Sequence, residues 1–399
     1  MNERQAWRTI LALSVVGAGA YVGNESPARE YSHYFWDLTG YVLALESEFP
    51  YRTIETFTFL YPPVAKDLFG LARTHLFELM SIGHVAAIAL FLRAYSRIPT
   101  PRRWEWLFAI TAMGGMGVVS LQSGNVAILM NFTLLGVMIG AALHPATQSP
   151  RRGGPGSNEW YRLALPIVIG AGALIKPQFA LYLGLLPFVE RSRRMAVIKM
   201  LGAAGAVVLV NGLYVVLRPF DWNEYVQGVI TQTAVKRDFG WGPAALGTHV
   251  SGAPIAPYVA YVTMLMLAAA LCVAAWRTSV KAGRTVPAVP VMALAFVVLT
   301  FANPRVPLYD LFAAAIAAGI ACSFAADAQR VTWALVIVLA INLVPWTIEE
   351  FTPDPAAWPW WAKDMLFGHV GGIIVLLIAL SRAGLQSTVR GVPGVPDVP

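Results

Sequence analysis

The sequence has little charge and almost no cysteine. Only 13% of its 399 residues are Asp, Glu, Lys or Arg, whereas 57% are hydrophobic. The two cysteines, Cys272 and Cys322, both fall inside predicted apolar helices. They therefore indicate nothing about the redox compartment, and we expect them to be small packing residues.

Patterns that bind metal ions are also missing. The chain has no Asp-x-Asp element of the kind that nucleotide-sugar enzymes use to hold a metal. Its six histidines are scattered, at His33, His75, His84, His144, His249 and His369. We therefore expect neither a metal nor a cofactor. The formal net charge of +7 does not require a nucleic-acid partner, because a basic cytoplasmic face beside anionic membrane lipid explains it.

Long apolar runs recur along almost the whole chain, and each is typical of a transmembrane helix. The pattern predicts about twelve such helices. They cover residues 7–23, 75–93, 104–121, 124–143, 161–176, 178–189, 196–217, 257–276, 287–302, 307–325, 331–347 and 365–381. The fifth and sixth are short, so they are either two crossings or one broken helix pair that lines a cavity.

The predicted architecture is an all-α integral membrane protein with ten to twelve transmembrane helices. Most lysines and arginines fall on the side of the N terminus, so the positive-inside rule places both termini in the cytoplasm. We expect one membrane domain over residues 1–389 and a disordered tail at 390–399. The external loops 24–74 and 218–256 are expected to form a cap.

Lys176 stands out because it is the single charged residue between Leu163 and Val189. A cation within a membrane segment is costly and is usually retained for binding or catalysis. Its expected partner is an anion. The predicted topology brings further polar and aromatic residues to the same external level, and we predict a site there. The candidates are Trp36, Asp37, Tyr41, Tyr61, Gln122, Asn125, Lys176, Gln178, Trp241, Arg305, Tyr309 and Asp310.

Each candidate also has a simpler interpretation. Asp37 is then an ordinary loop carboxylate, and the amides of Gln122 and Asn125 only join helices. Arg305 is then an interfacial cation whose head group reaches water. Lys176 and Asp310 are then structural partners of each other.

Four ordered elements resemble those of glycosyltransferase family 87, whose members are GT-C membrane enzymes. The first is Asp37-Leu38 with Tyr41, and the second is Tyr61-Pro62-Pro63. The third is a Gly-Gln-x-Asn-like hairpin, in which Leu121 replaces the first glycine before Gln122 and Asn125. The fourth is Lys176-Pro177-Gln178.

The C-terminal half departs from the family pattern. Where members carry Ser-Pro-x-x-Trp-x-His, this chain keeps Pro304 but has Tyr309 and Asp310 in place of the aromatic residue and the histidine. A histidine-dependent step is therefore not carried over to this chain, and the identity of the sugar stays open.

The resemblance implies a GT-C transferase of the bacterial inner (plasma) membrane and the cell envelope. It implies transfer of a hexose, with mannose favoured, from a polyprenyl-phosphate sugar to a lipid or glycan acceptor on the extracytoplasmic face. Residue chemistry fits this implication. Asp37 is the candidate general base for an inverting transfer, and Lys176 and Arg305 are the candidate cations for the departing phosphate. The candidate contacts to sugar or acceptor are Trp36, Tyr41, Tyr61, Gln122, Asn125, Gln178, Trp241, Tyr309 and Asp310.

Two other classes of membrane protein stay open. A multi-pass secondary transporter has a similar number of helices and also uses ionisable residues within the membrane. A lipid-linked polysaccharide polymerase or ligase shares the external face and the lipid-linked donor.

We expect Asp37→Asn to reduce sugar transfer by about 10²- to 10⁴-fold, because the amide cannot take the proton of the acceptor hydroxyl. The measurement is the rate of transfer by purified protein in lipid. A variant that folds normally and transfers sugar at the original rate would show that Asp37 is not the base.

Overall fold

The computed structural model describes residues 61–98, 123–143, 159–190, 192–231, 238–284, 286–351 and 366–386. The predicted helices 7–23 and 104–121 lie outside these residues, as do most of the first external loop and the C-terminal tail. The described part of the chain is helical and contains no β-strand, only isolated bridges between Gly240 and Val306 and between Ala325 and Leu385. The all-α prediction is therefore confirmed for the described residues.

The longer helices follow the predicted apolar runs closely, whereas the short helices Pro63–Leu71, Pro219–Ile230 and Pro243–Val250 lie in the predicted external loops. They are α1 (Pro63–Leu71), α2 (Leu76–Tyr95), α3 (Val126–Leu143), α4 (Glu159–Ile175), α5 (Arg193–Leu217), α6 (Pro219–Ile230), α7 (Pro243–Val250), α8 (Ala256–Lys281), α9 (Ala288–Phe301), α10 (Leu308–Cys322), α11 (Ala328–Phe351) and α12 (Leu366–Ala383). Two 3₁₀ helices, Arg73–His75 and Pro177–Phe188, complete the set. Several helices begin with proline, whose fixed φ suits the first turn and whose missing N–H is not needed there.

Residues 178–189 were predicted to form an α-helix, but they form the 3₁₀ helix Pro177–Phe188. This 3₁₀ helix is long for its type, since such runs rarely exceed a few residues. Its period of three residues places Phe179, Tyr182 and Leu185 on one face, and all three side chains are buried. Proline at both ends, Pro177 and Pro187, removes backbone donors that an α-helix would use.

The 3₁₀ helix and α4 form an antiparallel hairpin. The Lys199 ammonium donates to the carbonyl of Arg162, in the first turn of α4, at 3.2 Å. It also contacts Glu190, just beyond the 3₁₀ helix, at 2.6 Å. The outer ends of the two segments therefore lie together. Lys176, which joins the segments, lies at the opposite tip, and both predicted interpretations, two crossings or a broken helix pair, give such a hairpin.

The helices differ sharply in how much of their surface is covered. In the most apolar stretch of α3, 83% of the residues are buried, whereas none is buried in the corresponding stretch of α5 and only 17% in that of α8. The exposed surface of α5 is made of large apolar side chains, including Leu201, Leu209 and Val216. An apolar surface of this extent is typical of contact with lipid.

Four of the described helices are long and apolar enough to cross a membrane. They are Glu78–Tyr95 within α2, together with α3, α5 and α8. The remaining described apolar helices are shorter, and they include α9, α10 and α12. Length and composition thus support a membrane protein.

A group of ion pairs joins α1 to α5 and α6. Arg218, at the junction of α5 and α6, contacts Asp67 of α1 at 3.4 Å and Asp221 of α6 at 3.6 Å. Lys66 of α1 reaches Asp221 at 3.6 Å, and the Tyr214 hydroxyl donates to Asp67 at 3.0 Å. These contacts fix α1 beside the end of α5 and the start of α6.

We expect Gly140→Ala to destabilise the contact between α3 and α4. A Cβ atom at Gly140 would overlap the ring of Tyr161, which is buried and stacked on Trp160. Overpacking of this kind costs about 1–3 kcal/mol. Thermal unfolding in lipid nanodiscs should show the loss.

The matched control is Gly202→Ala in α5, where a Cβ atom meets no neighbour within 4 Å. Alanine has a higher helix propensity than glycine. The melting temperature of Gly202→Ala should therefore equal or exceed that of the original protein. Equal melting temperatures for the two variants would contradict the packing described between α3 and α4.

Candidate functional site

Lys176 interrupts the helical hairpin with a single extended residue. Its backbone has φ −133° and ψ 101°, between the end of α4 and the start of the 3₁₀ helix at Pro177. The residue before a proline is biased away from helical conformation, so the sequence itself sets this break. The side chain of Lys176 is completely buried, with 0% of its surface exposed.

The Lys176 ammonium is surrounded by groups that favour a positive charge. Its Nζ donates to Oδ1 of Asn125 at 3.3 Å. The ring centroids of Tyr61 and Tyr309 lie 5.9 Å and 5.4 Å from Nζ, which is within the range of cation–π attraction. These four residues come from four separate parts of the chain.

Asn125 is held in place by its neighbours at the start of α3. Gly124 adopts a positive φ of 64°, which glycine accommodates without strain. Asn125 Oδ1 accepts from the Ala127 amide at 2.8 Å and so caps α3. The imidazole of His84 contacts the carbonyl of Asn125 at 3.2 Å. One oxygen, Oδ1, therefore serves both the helix cap and Lys176.

Asp310 brings a buried carboxylate to the same cluster. It lies in the first turn of α10 with 2% of its surface exposed, where the helix N-terminus favours negative charge. Asn131 of α3 donates to Asp310 Oδ1 at 2.7 Å. Burial disfavours the charge of this carboxylate, and the positive charges of Lys176 and Arg305 oppose that effect. The attraction between Lys176 and Asp310, which the simpler interpretation expects, is therefore one of the interactions within the site.

Arg305 lies at the outer side of the cluster, in the turn between α9 and α10. Its Nη2 contacts Asp238 Oδ2 at 2.8 Å. Burial lowers the pKa of the Arg305 guanidinium from its ordinary value, and the charge and hydrogen bond of Asp238 act in the opposite direction. The carboxylate partner thus favours the charged form of Arg305.

The structure brings together Tyr61, Asn125, Lys176, Tyr309 and Asp310 of the predicted site, with Arg305 beside them. The Trp241 amide donates to the carbonyl of Val306, the residue after Arg305. The Trp241 side chain is 37% exposed. Gln178 lies in the first turn of the 3₁₀ helix with a partly exposed side chain and takes no part in the contacts above. Trp36, Asp37, Tyr41 and Gln122 lie outside the described residues.

Three members of the site were missed in the sequence. His84 and Asn131 are polar residues within the apolar helices α2 and α3, and that unusual placement was the available signal. Asp238 gave no comparable signal, because it lies in a polar loop. In the described part of the chain, no group of three or more His, Cys, Asp or Glu could hold a metal ion.

Comparisons with known proteins add no relative. No protein-family model, no curated protein and no solved structure matches this chain.

We expect Asp310→Asn to destabilise the protein by about 3–5 kcal/mol, because the buried Lys176 ammonium loses the negative charge that compensates it. Adding Lys176→Met should restore part of this loss, since the uncompensated ammonium is then removed. The measurement is thermal unfolding of the single and double variants in nanodiscs.

The matched control is Asp327→Asn, whose carboxylate is 42% exposed and contacts the exposed Arg330 at 3.5 Å. An exposed pair contributes about 0–1 kcal/mol. If Asp310→Asn is no more destabilising than this control, the described coupling of Asp310 to Lys176 is wrong.

Proposed function

We propose that this chain is a GT-C type membrane glycosyltransferase that uses a polyprenyl-phosphate sugar as donor. It transfers a hexose, with mannose favoured, to a lipid or glycan acceptor on the extracytoplasmic face of the bacterial inner membrane. In this proposal the chain crosses the membrane ten to twelve times, with both termini in the cytoplasm. The resemblance to glycosyltransferase family 87 suggests the donor and the inverting chemistry.

The observation that carries the proposal is the fully buried ammonium of Lys176 beside Asn125 and two tyrosine rings. A buried cation among helix starts is well suited to an anionic group, because the backbone N–H groups and dipoles of helix N-termini also favour negative charge. The starts of α1, α3, the 3₁₀ helix and α10 all lie at this cluster.

The chemistry of sugar transfer gives these groups distinct roles. As the anomeric carbon separates from the phosphate, negative charge develops on the departing oxygen. Lys176 stabilises that charge, and Arg305 adds positive charge to the same cluster. Tyr61 and Tyr309 provide aromatic faces, and the amides of Asn125 and Gln178 provide donors. Asp37, outside the described residues, is the proposed general base.

The surface beside the site supports a lipid-linked donor. Helix α5, much of whose apolar surface is exposed, packs on α4 and the 3₁₀ helix, which carry Lys176 between them. In this proposal the polyprenyl chain stays in contact with that apolar surface, and the phosphate binds at the Lys176 ammonium.

A secondary transporter is the second candidate, and one observation favours it. Lys176 and Asp310 are both buried at a break in a helical hairpin, and transporters use ionisable residues at interrupted helices for substrate and ion binding. Uptake driven by protons or sodium in proteoliposomes, without sugar transfer, would favour that candidate.

We expect the purified protein in lipid to consume a polyprenyl-phosphate sugar, and Lys176→Ala to weaken donor binding by at least about tenfold. Loss of one charge-assisted hydrogen bond, at about 1.5–3 kcal/mol, is of this size. The measurement is donor affinity and transfer rate over a panel of polyprenyl-phosphate sugars.

Lys281→Ala is the matched control, because Lys281 is an exposed lysine in the last turn of α8. It should bind donor as the original protein does. Unchanged donor affinity in Lys176→Ala would reject the phosphate role of Lys176, and no consumption of any donor would count against the transferase.

A further inference from the structure

The segment Asp238–Gly242, here named the strap, is fixed to the turn between α9 and α10. Gly240 forms a parallel bridge with Val306, and the Trp241 amide donates to the Val306 carbonyl at 2.7 Å. Gly240 has a φ of +68°, and a Cβ atom there would lie 2.7 Å from the Val306 carbonyl oxygen. The close approach of the strap to this turn therefore requires glycine at position 240.

A single carboxylate joins the strap to Arg305. Oδ1 of Asp238 accepts from the Gly240 amide at 2.9 Å, which fixes the strap's own conformation. Oδ2 of Asp238 accepts from Arg305 Nη2 at 2.8 Å. The Arg305 amide in turn donates to Asn303 Oδ1 at 3.2 Å, which fixes the turn. The ion pair thus connects two segments that are each ordered by their own short hydrogen bonds.

The strap presents its aromatic residues in different environments. Phe239 is 6% exposed and contacts the ring of Tyr258 edge-on, at 6.0 Å between centroids. Trp241 is 37% exposed and is adjacent in sequence to the glycine that docks on Val306. After Gly242 the strap continues into α7, which packs on α8. Phe239 therefore anchors the strap, and the Trp241 backbone docks on Val306, which lies between Arg305 and Tyr309 of the site in the sequence.

We propose that the Asp238–Arg305 ion pair is a latch that holds Trp241 at the rim of the site as a stacking surface for the sugar ring. Arg305 is then a positioning residue that acts through Asp238 and Trp241, in addition to its charge. The choice of a sugar as the ligand rests on the proposed function, whereas the latch itself does not. Indole faces stack on the apolar faces of rings and exclude water from them.

The latch is tested without any ligand by hydrogen exchange of the strap in nanodiscs. Asp238→Asn should speed exchange of the 238–242 amides by about fivefold, the size expected for a partly exposed ion pair. Gly240→Ala should speed it by more than about tenfold, because the strained backbone cannot dock on Val306. Gly252→Ala is the control, since a Cβ atom there meets open space, and it should leave the strap unchanged.

Two single variants separate a latch from a direct phosphate ligand. Asp238→Asn and Arg305→Gln both remove the ion pair, so both should speed exchange of the strap by about fivefold, whereas only Arg305→Gln also removes the cation. Binding of a short-chain prenyl-phosphate mannose should weaken in both variants, and more in Arg305→Gln. Unchanged strap exchange in Arg305→Gln would overturn the latch, and so would binding that weakens in Arg305→Gln but not in Asp238→Asn.

Coupling between variants tests the role of Trp241. If the latch acts through the indole, Trp241→Ala should weaken binding of the same probe much less in the Asp238→Asn background than alone. Additive losses would overturn the proposal, as would unchanged strap exchange in Asp238→Asn. If the original protein binds no prenyl-phosphate mannose, the sugar assignment of Trp241 fails with the proposed function, while the exchange results still decide the latch.

Discussion

The burial of one ammonium group is the constraint on which the described site depends. Lys176 has no exposed surface, and a cation removed from water requires compensating groups within the protein. Those groups are the Asn125 oxygen, the faces of Tyr61 and Tyr309, and the charge of Asp310. They come from distant segments, so satisfying this single charge requires the starts of several helices to meet.

Helix starts are suited to this role because their first backbone N–H groups need partners outside the helix. Asn125 has two roles, because its Oδ1 caps α3 and also accepts from Lys176. Asp310 likewise lies in the first turn of α10, where the dipole favours its charge. The polar site is therefore built from the ends of the apolar helices.

The outside of the helical body complements this polar end. α5 leaves its apolar face uncovered, while α3 is almost entirely enclosed. A substrate with a long apolar chain and an anionic head group matches both properties, which is the basis of the proposed lipid-linked donor. The strap carries the partly exposed Trp241, and an ion pair between segments 67 residues apart joins it to Arg305.

The sequence alone determined where the long apolar helices lie and which cation is unusual. Long apolar runs form helices because backbone groups in an apolar environment must bond within their own segment. The helix breaks at Lys176 because the residue before a proline is biased away from helical conformation. The 3₁₀ form of Pro177–Phe188 was not predicted, since apolar composition does not distinguish it from an α-helix. Only the tertiary structure decided that Asn131 donates to Asp310, 179 residues away, and that Arg305 pairs with Asp238. Such partners depend on how helices pack, and packing is set by the complementarity of whole surfaces rather than by any local pattern of residues.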